Sequence, residues 1–296
     1  MEKTALWSKQ ENIFPYLAIS PAVIIIVLLG FLPSLYTFWL SLQEYELINP
    51  PAKFIGLANY VDLLLNNSRY LQALVFTVVF ALVATTLELL IGFFIAYLLA
   101  DKEVSEGYSS LIRTLIMIPY VVAPVVISYT FKTLIYDSSF GYLNYFLTLF
   151  NMPNFDIFQG AIRAPIGILV MEVILRTPFI TIILYAGISS IDTSILDSAA
   201  IDGASWLKKI TKIIIPIIQP ILVVGFILRF MDALKMFTEI YVITGGGPGY
   251  VTENVSVFVI KQAFEFFHMG YAAAAAFIFL LLIVILVSTS LKVLKF

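Results

Sequence analysis

Residues 73–99 read ALVFTVVFALVATTLELLIGFFIAYLL, an apolar run in which Glu88 is the only charged residue. A helix needs about 20 such residues to cross the hydrocarbon core of a bilayer. Further runs that meet this requirement lie at residues 16–42, 111–135, 164–188, 211–240 and 270–291. The sequence therefore predicts an all-α membrane protein with six transmembrane helices, organised as a single transmembrane domain over residues 1–296.

The composition supports this fold class and excludes several kinds of function. Of the 296 residues, 61% are hydrophobic and 12% are charged, whereas soluble domains average about 45–50% apolar and about 25% charged residues. The net charge of -2 gives no electrostatic basis for nucleic-acid binding. Because cysteine is absent and His268 is the only histidine, the usual zinc sites and Ser-His-Asp catalysis are excluded. We expect no catalytic residue and no metal site on this chain.

The first apolar run and the basic residues predict the orientation in the membrane. Residues 16–42 are too long for the apolar part of a signal peptide and lack an Ala-x-Ala cleavage site, so we expect a retained helix. Lysine and arginine concentrate in cytoplasmic loops. If both termini are cytoplasmic, the basic residues on that side are Lys3, Lys9, Lys102, Arg113, Lys208, Lys209, Lys212, Lys292 and Lys295. Those outside are then fewer: Lys53, Arg69, Arg163 and Lys261. We therefore predict a multi-pass protein with both termini cytoplasmic.

The cytoplasmic loop between the fourth and fifth helices, residues 191–206, reads IDTSILDSAAIDGASW. Thr193 or Ser194 is expected to cap the start of a short amphipathic helix, because a hydroxyl oxygen can accept from the free backbone N–H groups there. Asp197, near the first turn, suits the positive end of the helix dipole. The loop is therefore predicted to carry a helix of its own.

Gly203 is expected to end that helix, because glycine readily adopts the left-handed conformation that turns the chain. A second helix is then predicted to begin near Ala204 or Ser205 and to continue into the membrane. Small side chains form a shallow surface on which another protein can pack closely: Ser198, Ala199, Ala200 and Ala204. The loop has the form of a docking element; a capped turn between two membrane helices is the alternative.

The segment Asp197-Ser198-Ala199-Ala200-Ile201-Asp202-Gly203-Ala204, followed by Ile213 and Pro216, resembles the EAA loop of binding-protein-dependent ABC importer permeases. In that family the loop forms coupling helices that fit a cleft on the ATPase subunit. The resemblance implies an ATPase-coupling role for Asp197, Ser198, Ala199, Ala200, Asp202, Gly203, Ala204 and Pro216. Aspartate at 197 replaces the usual glutamate and serine at 198 the usual alanine, so we expect a retained role with a shorter charged arm.

Three other segments resemble the sugar-importing branch of this family. They are residues 237–249 with Thr252-Glu253, Ala263-Phe264 with residues 270–274, and residues 54–60, which read FIGLANY. The likeness is closest to permeases named for maltose, trehalose, multiple sugars and glycerol-3-phosphate. It implies a prokaryotic plasma (inner) membrane, a second homologous permease in a heterodimer, two ATPase subunits and an extracytoplasmic sugar-binding protein. ATP and magnesium would bind the ATPase subunits, and this chain would hold no cofactor.

The glycine run of residues 244–249, TGGGPG, is not expected to bind nucleotide. It lacks the Gly-Lys-Ser/Thr ending of a phosphate-binding loop, and the predicted topology places it outside the membrane. We interpret it as a structural turn.

Charged residues inside the spans are candidate functional residues, because ionisable groups are costly in a bilayer. Glu88 lies in the second span, and the i,i+4 spacing of Glu172 and Arg176 lets them pair in the fourth span. For these three residues we favour a structural role.

In the fifth span, residues three and four positions apart are expected to form a ladder along one helical face: Arg229, Asp232, Lys235 and Glu239. Family permeases place substrate contacts in this region, and aromatic rings can stack on a sugar. The substrate-path candidates are Asp232, Lys235, Met236, Glu239, Phe237 and Tyr241. The alternative is that the charges only pair with each other or with a partner subunit.

Together these features predict a permease subunit of an ATP-driven ABC importer that carries a di- or oligosaccharide or a related polyol by alternating access. Other hypotheses are an ABC permease for another solute, such as a polyamine or phosphate, and an ion-driven secondary transporter. A polyamine path should show an excess of acidic residues, and a secondary transporter should show an inverted repeat. A membrane-embedded enzyme would need a converging catalytic set.

Overall fold

The computed structural model describes residues 15–101 and 103–293, and most of these residues are helical. Within them, five helices are long and apolar enough to cross a membrane, and a bent pair counts as a sixth span. The spanning helices are α1 (Pro15–Ser41), α3 (Ser68–Leu99), the bent pair α4 (Glu106–Val121) and α5 (Pro124–Ile135), α7 (Arg163–Ser189), α9 (Trp206–Leu234) and α12 (Met269–Val293). Shorter elements are α2 (Ala58–Val61), α6 (Tyr142–Leu149), α8 (Thr193–Ile201), α10 (Thr238–Ile243), α11 (Val255–Ile260), β1 (Gln43–Glu44) and β2 (Lys53–Phe54). The all-α membrane fold predicted from the sequence is confirmed.

The third predicted span, residues 111–135, is not a continuous helix. Helices α4 and α5 meet at an angle of 92°. Val122 and Ala123 are extended between them, and Pro124 opens α5. A proline disfavours the helical conformation of the residue before it, which explains why the helix ends here.

The fifth predicted span, residues 211–240, is also wrong at its C-terminal end. Helix α9 ends at Leu234, with Lys235 as its C-cap, and Glu239 belongs to the separate helix α10. The ladder predicted on one helical face is therefore divided between two helices. At the break, the side-chain amide of Asn254 donates a hydrogen bond to the carbonyl of Met236.

The described chain divides into two compact units, one ending at Asn66 and resuming over Val259–Ile278, the other covering Asn67–Phe258 and the chain from Phe279 onward. In the second unit, α3 packs mainly against α7, and α9 packs against both. Gly92 allows this close approach, because a Cβ atom there would lie 2.8 Å from the side chain of Ile180.

An apolar cluster joins the cytoplasmic halves of α7 and α9 in the predicted topology. Its buried members are Ala96 of α3, Ile180, Leu184 and Ile188 of α7, Ile191, and Ile210, Ile214 and Ile218 of α9. We call it the α7–α9 cluster. Burial of such side chains is what holds neighbouring helices at fixed spacing.

In the first unit, β1 and β2 form a short antiparallel hairpin after α1, a feature that the sequence reasoning did not predict. The buried amide of Asn59 donates to the carbonyls of Ser41 and Gln43 and so joins α2 to the hairpin. The start of α12 also contacts this segment, because the Gly270 N–H donates to the Tyr45 carbonyl over 3.1 Å.

Replacing Gly270 with alanine should destabilise this unit. A Cβ atom there would lie 2.0 Å from the carbonyl oxygen of Gln43, and a backbone atom cannot rotate away from it. We expect a cost of about 1–3 kcal/mol, as for other overpacking substitutions, measured as a lower midpoint of thermal unfolding in detergent. Gly107→Ala is the matched control, because within the described residues nothing lies within 4 Å of its Cβ position. Equal midpoints for the two variants would contradict the prediction.

Candidate functional site

A buried network of charges centred on Arg229 joins three of the spanning helices. The Arg229 guanidinium donates from Nε to Glu88 Oε2 over 2.8 Å and from Nη2 to Glu88 Oε1 over 3.0 Å. The same Nη2 donates to Glu172 Oε1 over 3.0 Å. The three side chains are at most 3% exposed. Glu88 of α3 and Glu172 of α7 thus share one cation of α9.

Arg176 extends the network from α7 to the short helix α10. Its Nη2 donates to Glu239 Oε1 over 2.6 Å, and its Nε lies 3.7 Å from Glu172 Oε1. The predicted i,i+4 pairing of Glu172 with Arg176 is confirmed. The side chain of Glu239 is 5% exposed, so its carboxylate is held inside the network.

Asp232 and Lys235 form the solvent-facing edge of the same charge cluster. Asp232 Oδ2 lies 3.7 Å from Arg229 Nη1, and Asp232 Oδ1 lies 3.6 Å from Lys235 Nζ. Both side chains are more than half exposed. These contacts are too long for hydrogen bonds, so both groups keep most of their hydrogen-bonding capacity free for another molecule.

A cavity of about 370 Å³ brings these groups together. Its lining residues are Pro124, Glu172, Arg176, Arg229, Asp232, Lys235, Met236, Phe237, Thr238 and Glu239. This lining contains both acidic and basic side chains, so hydrogen-bond donors lie beside acceptors. Such a lining suits an uncharged molecule that both donates and accepts.

The apolar and aromatic candidates differ in their accessibility. Met236 lines the cavity but is 6% exposed and packs with Phe80, Ile168 and Ile240. Phe237 is half-buried and stacks on Tyr241, with ring centroids 5.1 Å apart. Among the described residues that line the cavity, Phe237 is present and Tyr241 is not.

The predicted coupling loop carries helix α8, as expected, but its cap differs from the prediction. Asp192, and not Thr193 or Ser194, is the N-cap, and its Oδ1 accepts from the Ser194 N–H over 2.9 Å. The carboxylate also places a negative charge at the positive end of the helix dipole. Gly203 has the predicted left-handed conformation, with φ of +72°.

The exposed face of this loop contains large apolar side chains that the sequence reasoning did not single out. Ile201, Trp206 and Leu207 are 86%, 63% and 55% exposed. Leu196 points the other way and packs against the α7–α9 cluster. The loop therefore joins an exposed apolar surface to the helix bundle. The sequence could have indicated this surface, because Ile201, Trp206 and Leu207 are large apolar residues that lie next to the small residues in a loop predicted to be cytoplasmic.

The predicted small residues lie on or near this surface. Ser198 and Ala200 are exposed, and Ala199 and Ala204 are half-buried. Asp197, Asp202 and Gly203 are exposed as well. Pro216 is exposed but lies within α9, about 15 Å along the helix from Trp206 at 1.5 Å per residue. The structure thus groups seven of the eight coupling candidates and separates Pro216 from them.

The glycine run is a turn, as predicted, and Glu253, shortly after it in the chain, belongs to a separate ion pair. Gly245, Gly246 and Gly249 have positive φ angles. Arg69 donates to both carboxylate oxygens of Glu253, over 2.5 and 2.7 Å. This pair cannot be read from the sequence, because its two residues are 184 positions apart.

A bundle of apolar spans that encloses a polar cavity and presents a structured loop is typical of a membrane transport protein. Residues 88–295 match the family described as binding-protein-dependent transport system inner membrane component. The chain belongs to this family: it is a multi-pass permease component of an ABC transport system.

Relatives and solved structures agree with this assignment. The chain is 34% identical to the trehalose/maltose transport system permease protein MalF of Thermococcus litoralis, over 86% of this chain and 83% of that protein. It is 33% identical to the trehalose transport system permease protein SugA of Mycobacterium tuberculosis, over 89% of this chain and 83% of that protein. The fold is similar to a chain in the crystal structure of a bacterial alginate ABC transporter in complex with alginate pentasaccharide-bound periplasmic protein. That likeness has a TM-score of 0.79 at 18% identity and covers 96% of this chain and 95% of the other.

Proposed function

We infer that this chain is a permease subunit of an ATP-driven importer whose cargo is a carbohydrate or a related polyol. The observation that carries this inference is the cavity formed by α5, α7, α9 and α10, with its lining of paired charges. Its volume of about 370 Å³ falls in the range of about 300–1,000 Å³ typical of small-molecule sites.

The charges of the cavity favour an uncharged polar cargo. Among the described residues that line the cavity, the carboxylates of Glu172, Asp232 and Glu239 face the cations of Arg176, Arg229 and Lys235. Glu88, the other partner of Arg229, is fully buried behind it and is not part of this lining. A polyamine would need excess negative charge, and a phosphate would need excess positive charge. A carbohydrate needs neighbouring donors and acceptors, which this lining provides, and Phe237 offers an aromatic face. The named cargo of the two relatives, trehalose or maltose, is of this kind.

The exposed loop supports coupling to a separate ATPase. Ile201, Trp206 and Leu207 present apolar surface beside the small side chains of α8, as a docking surface requires. ATP and magnesium would bind two such ATPase subunits, and this chain would catalyse no reaction. A second permease and an extracytoplasmic binding protein would complete the complex in a prokaryotic inner membrane, with both termini of this chain cytoplasmic. Alternating access would follow from motion of the helix bundle driven through α8.

Uptake into proteoliposomes that contain the complete complex tests this function. We expect ATP-dependent uptake of radiolabelled trehalose or maltose and no uptake of putrescine or phosphate. Asp232→Ala should lower sugar uptake about tenfold, since it removes an exposed acceptor of the cavity and leaves the buried network in place.

Lys53→Ala is the control for Asp232→Ala, because Lys53 is also an exposed charge but lies in β2 and is not among the residues that line the cavity. It should transport as the wild type does. Transport driven by an ion gradient without ATP would favour a secondary transporter, and uptake of putrescine or phosphate in place of sugar would favour an ABC permease for that solute.

A further inference from the structure

Two polar atoms of the charge network are left without a hydrogen-bond partner. Across residues 15–101 and 103–293, Glu172 Oε2 and Arg176 Nε are buried and bond to no other group. The other atoms of these side chains are engaged: Glu172 Oε1 accepts from Arg229, and Arg176 Nη2 donates to Glu239. A buried polar atom without a partner is costly and uncommon, so each such atom needs an explanation.

The two atoms belong to neighbouring side chains and differ in kind. Glu172 and Arg176 are four residues apart on α7, and Arg176 Nε lies 3.7 Å from the other carboxylate oxygen of Glu172. Both residues line the 370 Å³ cavity, but the two unpartnered atoms have almost no accessible surface of their own, so a cargo hydroxyl reaches them only when the side chains around them move apart. The carboxylate oxygen can only accept a hydrogen bond, and the guanidinium N–H can only donate one.

A hydroxyl group complements both atoms at once, because it donates one hydrogen bond and accepts another. A carboxylate or phosphate offers only acceptors and would be repelled by Glu172. An ammonium group offers only donors and would be repelled by Arg176. The pair therefore selects a neutral hydroxyl over the charged groups of acidic or basic solutes.

We propose that Glu172 and Arg176 form a hydroxyl-binding subsite of the transport cavity, in which one cargo hydroxyl donates to Glu172 Oε2 and accepts from Arg176 Nε–H. This assignment rests on the proposed function and adds to it a specificity-determining pair that would favour a hydroxyl over a carboxylate, phosphate or ammonium group at one position of the cargo. A water molecule has the same complementarity, and the experiment must separate these two sources of the hydroxyl.

The test compares monodeoxy derivatives of trehalose or maltose, whichever the wild-type complex transports, in proteoliposomes with wild type and Glu172→Gln. The substitution keeps the acceptor for Arg229 and turns the free acceptor into a donor. We expect Glu172→Gln to take up the parent sugar about tenfold more slowly than wild type does. For the derivative that lacks the bridging hydroxyl, the variant and wild type should have equal uptake rates. Every other derivative should lose as much as the parent. The preference of the binding protein cancels, because each ratio compares variant with wild type for the same sugar.

Glu88→Gln is the matched control, because Glu88 is equally buried and shares Arg229, but both of its oxygens already accept hydrogen bonds. A purely structural effect should lower uptake of all sugars by one factor, as we expect for this variant. Arg176→Lys, which keeps the charge but removes the Nε–H, provides a second test with the same readout should Glu172→Gln fail to insert.

A variant-to-wild-type ratio that is the same for every deoxy sugar would overturn the subsite and assign the hydroxyl to water. A wild-type complex that transports no neutral sugar would instead contradict the proposed function, and the subsite with it. The two failures are thus distinguished by the wild-type measurement alone.

Discussion

Replacing Arg229 with methionine should prevent stable folding of the permease. The substitution would leave Glu88 and Glu172, whose side chains are 0% and 2% exposed, without their shared cation. Removing one partner of a buried ion pair costs about 3–5 kcal/mol, a large part of a total stability of roughly 5–15 kcal/mol. We expect little protein in the membrane fraction, and a thermal midpoint lowered by about 10 °C or more in any that is purified.

Two variants separate the buried charge from other effects of this substitution. Lys235→Met makes a similar change at a side chain that is 56% exposed, and it should leave the midpoint nearly unchanged. Adding Glu88→Gln to Arg229→Met should recover part of the loss, because it removes one of the two uncompensated charges. An Arg229→Met protein with the midpoint of wild type would show that the network adds nothing to stability.

Replacing Gly203 with aspartate should uncouple the permease from its ATPase while leaving membrane insertion intact. The residue has φ of +72°, where a non-glycine side chain is strained by about 1–2 kcal/mol. It also lies on the exposed loop beside Ile201 and Trp206, where a new charge opposes apolar docking. We expect co-purification of the ATPase and sugar uptake each to fall at least tenfold.

Gly56→Asp is the matched control for this substitution. Gly56 has φ of +60°, and like Gly203 its Cβ position has no described atom within 4 Å. Its strain should therefore be similar, but it lies after β2 and not on the coupling loop. Normal ATPase binding by Gly203→Asp, or an equal loss in Gly56→Asp, would contradict the coupling role. Gly203→Ala isolates the strain from the charge.

The length and position of most spans could be predicted because the bilayer imposes a requirement that is local in sequence. An apolar run of about 20 residues is visible without any knowledge of its neighbours, and α1, α3 and α7 follow the predicted runs closely. The break in α9 after Leu234 could not be predicted in this way. The carbonyl of Met236 at that break is satisfied by Asn254, which is 18 residues away, so a contact from elsewhere in the fold supports the local interruption.

The candidate site shows the same limit. The pairing of Glu172 with Arg176 follows from helical spacing, and the structure confirms it. Arg229 and Glu88 are 141 residues apart, and only the packing of α9 against α3 brings them together. The predicted N-cap of α8 was wrong because three adjacent residues are all suitable caps: Asp192, Thr193 and Ser194.

Helices α7 and α9 contact each other at two separate positions along their length. The α7–α9 cluster joins them near Ile214, and Arg229 with Glu172 joins them about 20 Å farther along α9. Neither helix can rotate about its own axis without breaking one of these two contacts. If α8 transmits movement of an ATPase, as proposed, Leu196 would pass it to the cluster, and we expect the two helices to move together, so that the wall of the cavity moves with the loop.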